Sequence, residues 1–136
     1  MKIKQTTFYA LLAIHRIYLE GRQIITSVEL AEKENISHGV MIKTLRVLTH
    51  AGILHVHQGR GNVCGGYSLA KRIDEITLLD IIDIMEQVNI CKNIATGNRE
   101  REAQLFCKFS QINESLKEEF SKYTIQDLFV SGDEMT

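Results

Sequence analysis

Three cysteines, Cys64, Cys91 and Cys107, carry the most reactive side chains of this chain. Thiolates bind iron–sulfur clusters and haem iron and react with oxidants, so metal or redox chemistry is what these positions offer. Their odd number and irregular spacing argue against a disulfide framework and predict a reducing compartment. Cys91 falls in an aperiodic stretch and Cys107 two turns into a long amphipathic one. Cys64 stands among turn residues, where exposure favours reactivity. Packing as small apolar side chains is the competing reading for all three. A second set is cationic: Lys43 and Arg46 share a face of a predicted helix, and Arg60 sits between Gly59 and Gly61. Such groups bond phosphate oxygens or guanine acceptors. No phosphate-binding glycine loop, paired helical histidines with a glutamate, or nucleophile motif occurs, so the chain does not read as an enzyme.

The elements that must position these groups follow from periodicity. A first helix is predicted from about Thr6 to Tyr18, with Phe8, Leu11, Leu12, His15 and Leu19 on one face, and Gly21 ends it. Thr26 precedes Glu29 at capping-box spacing, and Val28, Leu30 and Ala31 give a short second helix that stops near Asn35. Ser37 suits the N-cap of a third helix, which turns Met41, Leu45 and Leu48 inward and is closed by Gly52. Residues Ile53 to His57 alternate like a strand, Gly59 to Asn62 have turn chemistry, and Gly65 to Leu69 read as the returning strand. Two helices joined by a short turn and followed by a glycine-rich hairpin constitute a winged helix-turn-helix.

Beyond the hairpin, Thr77 and Asp80 open a helix that returns Leu78, Ile81, Ile82 and Met85 to the core. Residues 87–98 lack periodicity and form a loop or arm containing Cys91. From about Arg99 to Lys122 a long helix carries Leu105, Phe109, Ile112, Leu116 and Phe120 in a single stripe near the heptad period. A two-fold partner helix is the economical cover for that stripe, with packing onto the same chain as the alternative. The expected fold is therefore mainly α with a small β-hairpin: a winged helix-turn-helix domain over residues 1–87, an arm over 88–98, and a long C-terminal dimerisation helix with its following segment over 99–136.

With Met41, Leu45 and Leu48 inward, the third helix presents Ser37, His38, Gly39, Ile42, Lys43 and Arg46 to a partner. Gly39 permits close approach, and Ile42 suits thymine methyl groups. Arg60 at the hairpin tip fits a minor groove, with His57 and Asn62 beside it. Residues 1–72 hold ten Lys/Arg against four Asp/Glu, and all five histidines; residues 73–136 hold six against thirteen. A basic half beside an acidic half points to double-stranded DNA as the partner of the first half. A homodimer would read a palindromic operator with half-sites roughly 34–36 Å apart. A winged-helix module that binds protein and carries no cofactor is the alternative, and it would not need Lys43, Arg46 and Arg60 together. The apolar content of 44% predicts an ordered chain. His15 and Arg16 interrupt the apolar run Phe8 to Ile14, and nothing approaches the roughly 20 apolar residues of a membrane span, so a cytoplasmic protein without membrane contact is expected.

Taken in order, Met1-Lys2-Ile3-Lys4 with Tyr9-Ala10-Leu11, then Leu30-Ala31-Glu32, Ile36-Ser37, Leu45-Arg46-Val47-Leu48, Ala51-Gly52-Ile53-Leu54, Gly65-Gly66-Tyr67-Ser68-Leu69-Ala70, Ile73 to Ile82, and Tyr123 to Leu128 resemble one bacterial family of winged-helix regulators. It is the family that includes IscR, NsrR and CymR, and the resemblance covers nearly the whole chain. It implies a cytoplasmic, dimeric transcriptional regulator, commonly a repressor, that senses redox state, nitric oxide, or iron–sulfur or haem status. Cluster-binding relatives commonly carry three cysteines in a short loop, whereas here Cys91 and Cys107 match the outer pair and the middle one is missing, so the resemblance makes this pair the candidate metal and cofactor ligands. In some relatives the partner's first helix completes the site, which makes His15 the candidate here, with Phe8 standing where a carboxylate ligand occurs in others. The resemblance thus implies an iron–sulfur cluster, with haem or no cofactor as alternatives. The hairpin is longer than in relatives and includes Cys64, and Ile42 stands where relatives often carry an acid, so base preference should differ from theirs.

Overall fold

The computed structural model describes residues 2–21, 24–59, 65–86 and 99–129. Helices α1 (Gln5–Glu20), α2 (Ser27–Glu34) and α3 (His38–His50) lead into strands β1 (Leu54–His57) and β2 (Gly66–Leu69). Helix α4 (Leu78–Met85), the long α5 (Arg99–Ser121) and the short α6 (Ile125–Leu128) complete the chain. The result is a mostly helical winged-helix fold with one antiparallel hairpin.

Local chemistry sets the boundaries. Gly21, at φ 63°, closes α1 by donating to the Tyr18 carbonyl at 3.2 Å. Thr26 accepts the Glu29 amide at 3.1 Å to start α2, and Asn35 ends it in the left-handed region that asparagine tolerates. Gly52, at φ 84°, ends α3 with the paired bonds of a glycine-terminated helix: its own amide to the Thr49 carbonyl and the Ile53 amide to the Leu48 carbonyl, both at 3.0 Å. Leu48 and Ile53 are both buried, so the turn delivers the chain directly from α3 into β1.

The hairpin pairs Leu54 with Leu69 and His57 with Gly66. Ile25 adds a third rung by exchanging backbone bonds with Tyr67 at 3.0 and 2.8 Å. Gly66 is required there, because a Cβ would fall 2.4 Å from the Ile24 side chain and 2.6 Å from the Ile25 carbonyl oxygen. The wing is thereby fastened to the segment just before α2.

One core unites Ile14 and Ala10 of α1, Leu30 of α2, Met41, Leu45 and Leu48 of α3, and Ile81 of α4. The face that α1 contributes differs from the expected one. It buries Thr7, Ala10, Ala13, Ile14 and Ile17, while Phe8 and Leu19 remain 54% exposed. Its small residues let α2, α3 and α4 approach α1 closely, while Phe8 and Leu19 are turned outward. Val28, expected on the inner face of α2, is likewise exposed.

The N-terminus of α1 takes its cap from far along the chain. Lys4 offers no capping side chain, and the Glu86 carboxylate accepts the Lys4 amide at 3.0 Å and the buried Thr7 hydroxyl at 2.8 Å. Helix α5, by contrast, has no buried residue, and Leu105, Phe109 and Ile112 of its stripe are exposed. The chain then comes back: Leu78 donates to the Tyr123 carbonyl at 2.7 Å, Ile125 donates to Ile76 at 2.9 Å, and Ile125 is fully buried. No described helix is long and apolar enough to cross a membrane.

Candidate nucleic-acid interface and thiol positions

Helix α3 carries its cations on the side opposite Met41, Leu45 and Leu48. His38, Gly39, Lys43 and Arg46 are exposed and Ile42 is half-buried, in keeping with their helical phase. Ser37 is spent on structure, its hydroxyl accepting the Val40 amide at 3.4 Å. His38 Nε2 lies 2.9 Å from Ser27 Oγ and ties the start of α3 to the start of α2. Nothing inside the chain explains the glycine at position 39, because an added Cβ would meet no atom within 4 Å.

Three other cations of the basic half are neutralised locally. Arg16 Nε bonds Glu34 at 2.6 Å, Lys33 pairs with Glu20, and Arg72 pairs with Asp74 at 2.8 Å. Among the described residues neither Lys43 nor Arg46 pairs with a carboxylate. Between α3 and the wing runs an open groove whose lining includes Arg46, His50, His57, Gln58 and Tyr67, together with Thr26 and Ser27 at the start of α2, and, among the described residues, no acidic one. His57 Nε2 sits 2.7 Å from Ser68 Oγ across the hairpin. His50 is the residue that sequence reasoning missed, since its relation to the wing depends on how the hairpin folds back over α3. Arg60 and Asn62, expected at the wing tip, lie outside the described residues, as do Cys64, Cys91 and the arm 88–98.

Cys107 is exposed on α5. The His15 ring lies flat against Phe129, with centroids 3.9 Å apart and planes 5° apart, and faces Tyr18 at 6.1 Å. Burial holds its pKa below the ordinary 6.5, helped by the adjacent Arg16 and opposed by Glu34. Among the described residues no three His, Cys, Asp or Glu side chains converge on a metal position. An iron–sulfur cluster or haem would therefore need Cys91 or a second chain beside Cys107.

The sequence model described as "Rrf2: Iron-dependent Transcriptional regulator" matches residues 3–131. The chain is 25% identical over 134 residues to an Aquifex aeolicus protein named as an HTH-type transcriptional regulator, covering 94% of this chain and 91% of that one. Its fold is similar to that of CymR, the global cysteine regulator of B. subtilis, with a TM-score of 0.68, 24% identity, and coverage of 94% and 95% of the two chains. It is also similar to T. potens IscR, with a TM-score of 0.66, 19% identity, and coverage of 100% and 97%.

The His15 stack yields a stability prediction with a definite sign. The folded chain binds the His15 proton less readily than the unfolded chain, whose histidine titrates near 6.5. The stabilising contribution is therefore full above that value and is lost as the pH falls below it. Urea unfolding at about pH 7 and about pH 5 should show a larger loss of stability for the wild type than for His15→Gln. Identical losses would remove the stack as a titrating element.

Proposed function

Because the chain belongs to the Rrf2 family of transcriptional regulators, with the family pattern running over residues 3–131, we propose that it is a homodimeric repressor that reads a palindromic DNA operator with α3 and the wing. The observation that carries this reading is the pair of carboxylate-free cations, Lys43 and Arg46, on the exposed face of α3 beside an acid-free groove. His38, Gly39 and Ile42 stand at the base edges. Ser37 fixes the helix start by capping it. Arg60, with Asn62 and His57, supplies the wing contact in the minor groove. An exposed recognition helix needs such groups because phosphate contacts position the protein and base contacts specify the sequence.

Dimerisation follows from α5. Twenty-three residues with no buried side chain and a stripe of Leu105, Phe109, Ile112, Leu116 and Phe120 leave more apolar surface uncovered than an isolated monomer normally tolerates. A second copy covers it by two-fold symmetry, and the outward Phe8 and Leu19 of α1 extend the same apolar character. Cys107 on that helix, with Cys91 in the arm before it, forms the sensing site for redox or iron status. Cluster ligation, haem ligation and direct thiol oxidation are separated by their spectra. His15 is the residue of the partner's α1 that would complete a ligand set.

Three outcomes follow. Selection of bound duplexes from a random pool, followed by titration across a salt series, should return a palindrome. Arg46→Ala and Arg60→Ala should each weaken its binding by about 1–3 kcal/mol and lower the salt slope by about one, with the dimer intact. Unchanged binding by both variants would remove the DNA face from α3 and the wing. Replacing Phe109 and Leu116 together by aspartate should give monomers or unfolded chains in light scattering, because the charges would be buried in an apolar seam. An unchanged dimer would place the interface elsewhere. Protein purified without oxygen and reconstituted with iron and sulfide, or with haem, should absorb in the visible and lose that absorbance in Cys91→Ser and Cys107→Ser but not in Cys64→Ser. A colourless protein whose DNA binding ignores thiol oxidants would return both cysteines to packing.

A further inference from the structure

Of the two permanent cations on the described part of the recognition face, only Arg46 lines the groove between α3 and the wing. The other charge available there is conditional. His50 and His57 face the groove from opposite sides, and histidine is the side chain whose charge ordinarily changes between about pH 5 and 8. We propose that a DNA strand runs through this groove and that its binding is proton-linked: His50 and His57 each take a proton from solvent as a phosphate enters, so affinity rises as pH falls. This rests on the DNA-binding reading above and adds to it the residues and the ionic species that hold the strand.

The surroundings of both rings suit that exchange. His50 is exposed at the end of α3, with Arg46 one turn earlier, and its neighbours across the groove are His57 and Tyr67 of the wing and Thr26 and Ser27 of α2. On its other side it meets Val47, Ala51 and Ile84 of α4, which carry no charge. The α2 carboxylate Glu29 is engaged with the Thr26 hydroxyl at 3.3 Å and does not line the groove. His57 has Ser68 at 2.7 Å and the edge of His55 at a centroid distance of 6.5 Å. Once protonated, the His57 ring donates Nε2–H to Ser68 Oγ and keeps Nδ1–H for a phosphate oxygen. The proton comes from water, the imidazole becomes imidazolium, and no covalent bond in protein or DNA changes.

The test is equilibrium binding of the full chain to a fluorescently labelled duplex of mixed sequence, at fixed ionic strength, from about pH 6 to about pH 8. Wild-type affinity should be on the order of tenfold greater at the acid end, since each imidazole that charges fully on binding adds up to one decade per pH unit. His50→Gln and His57→Gln should each reduce the slope, and the double variant should flatten it while binding persists through Arg46 and Lys43. Calorimetry in buffers of different ionisation enthalpy should count fewer protons taken up by each variant. A wild-type affinity that does not change with pH, or a double variant that keeps the wild-type slope, overturns the proposal. Absence of binding at every pH, even at low salt, would instead remove the DNA-binding reading on which it rests.

Discussion

The close packing of α1 through its small residues is the constraint on which the rest of the molecule depends. Ala10 and Ala13 are fully buried, and their size lets α1 pack against α2, α3 and α4 at once. A larger residue at either position would push those helices apart, because interiors are packed too densely to absorb added methylenes. The same choice decides the outer surface. With that face inward, Phe8 and Leu19 point away from the core and leave apolar surface exposed on α1. The Glu86 carboxylate holds the first turn of α1 in place from the end of α4, so the position of that helix is fixed at its start as well as along its length.

A second economy concerns charge. Of the cations in the basic half, Arg16, Lys33 and Arg72 are committed to carboxylates within the fold, whereas Lys43 and Arg46 are not. The cations paired with carboxylates in this half therefore sit away from α3. Thr44, the polar residue between Lys43 and Arg46, is buried and turns its hydroxyl back to the Val40 carbonyl at 2.9 Å. The helix thus satisfies its buried hydroxyl internally and leaves its outer face to whatever binds there.

Much of this was legible in the residues because it is local. The caps at Thr26, Ser37 and Thr77, the glycines at 21 and 52, and the change of period after Gly52 act within a few residues of where they stand, and each marks the boundary that the structure has. The buried face of α1 was not legible, because Ile14 and Ile17 share it with Thr7, Ala10 and Ala13, which carry little apolar signal beside Phe8, Leu12 and Leu19; only the neighbours across the interface decide which side is inside. The Lys4–Glu86 cap spans 82 residues and leaves no pattern in sequence. Within the site, the outward phase of Lys43 and Arg46 followed from helical period alone, while the placement of His50 against the wing required the hairpin to be folded back. The Thr124–Asp127 capping box has the same spacing as Thr77–Asp80, yet only the fold reveals that the two starts lie side by side.

That last pairing bears on how the protein is made. The bridge between Thr77 and Thr124, with Ile125 sealed against the core beneath it, joins a segment in the middle of the chain to one made almost 50 residues later. A nascent chain emerging from the ribosome can form the helix-turn-helix and wing from local contacts, but its core stays open on one side until residue 125 has been added. During that interval the uncovered face around Ile73, Ile76 and α4 is exposed to other chains and to chaperones. Closure of the winged-helix core and delivery of α5 thus become a single late event in synthesis, because the residues that seal the core follow the long helix in the chain.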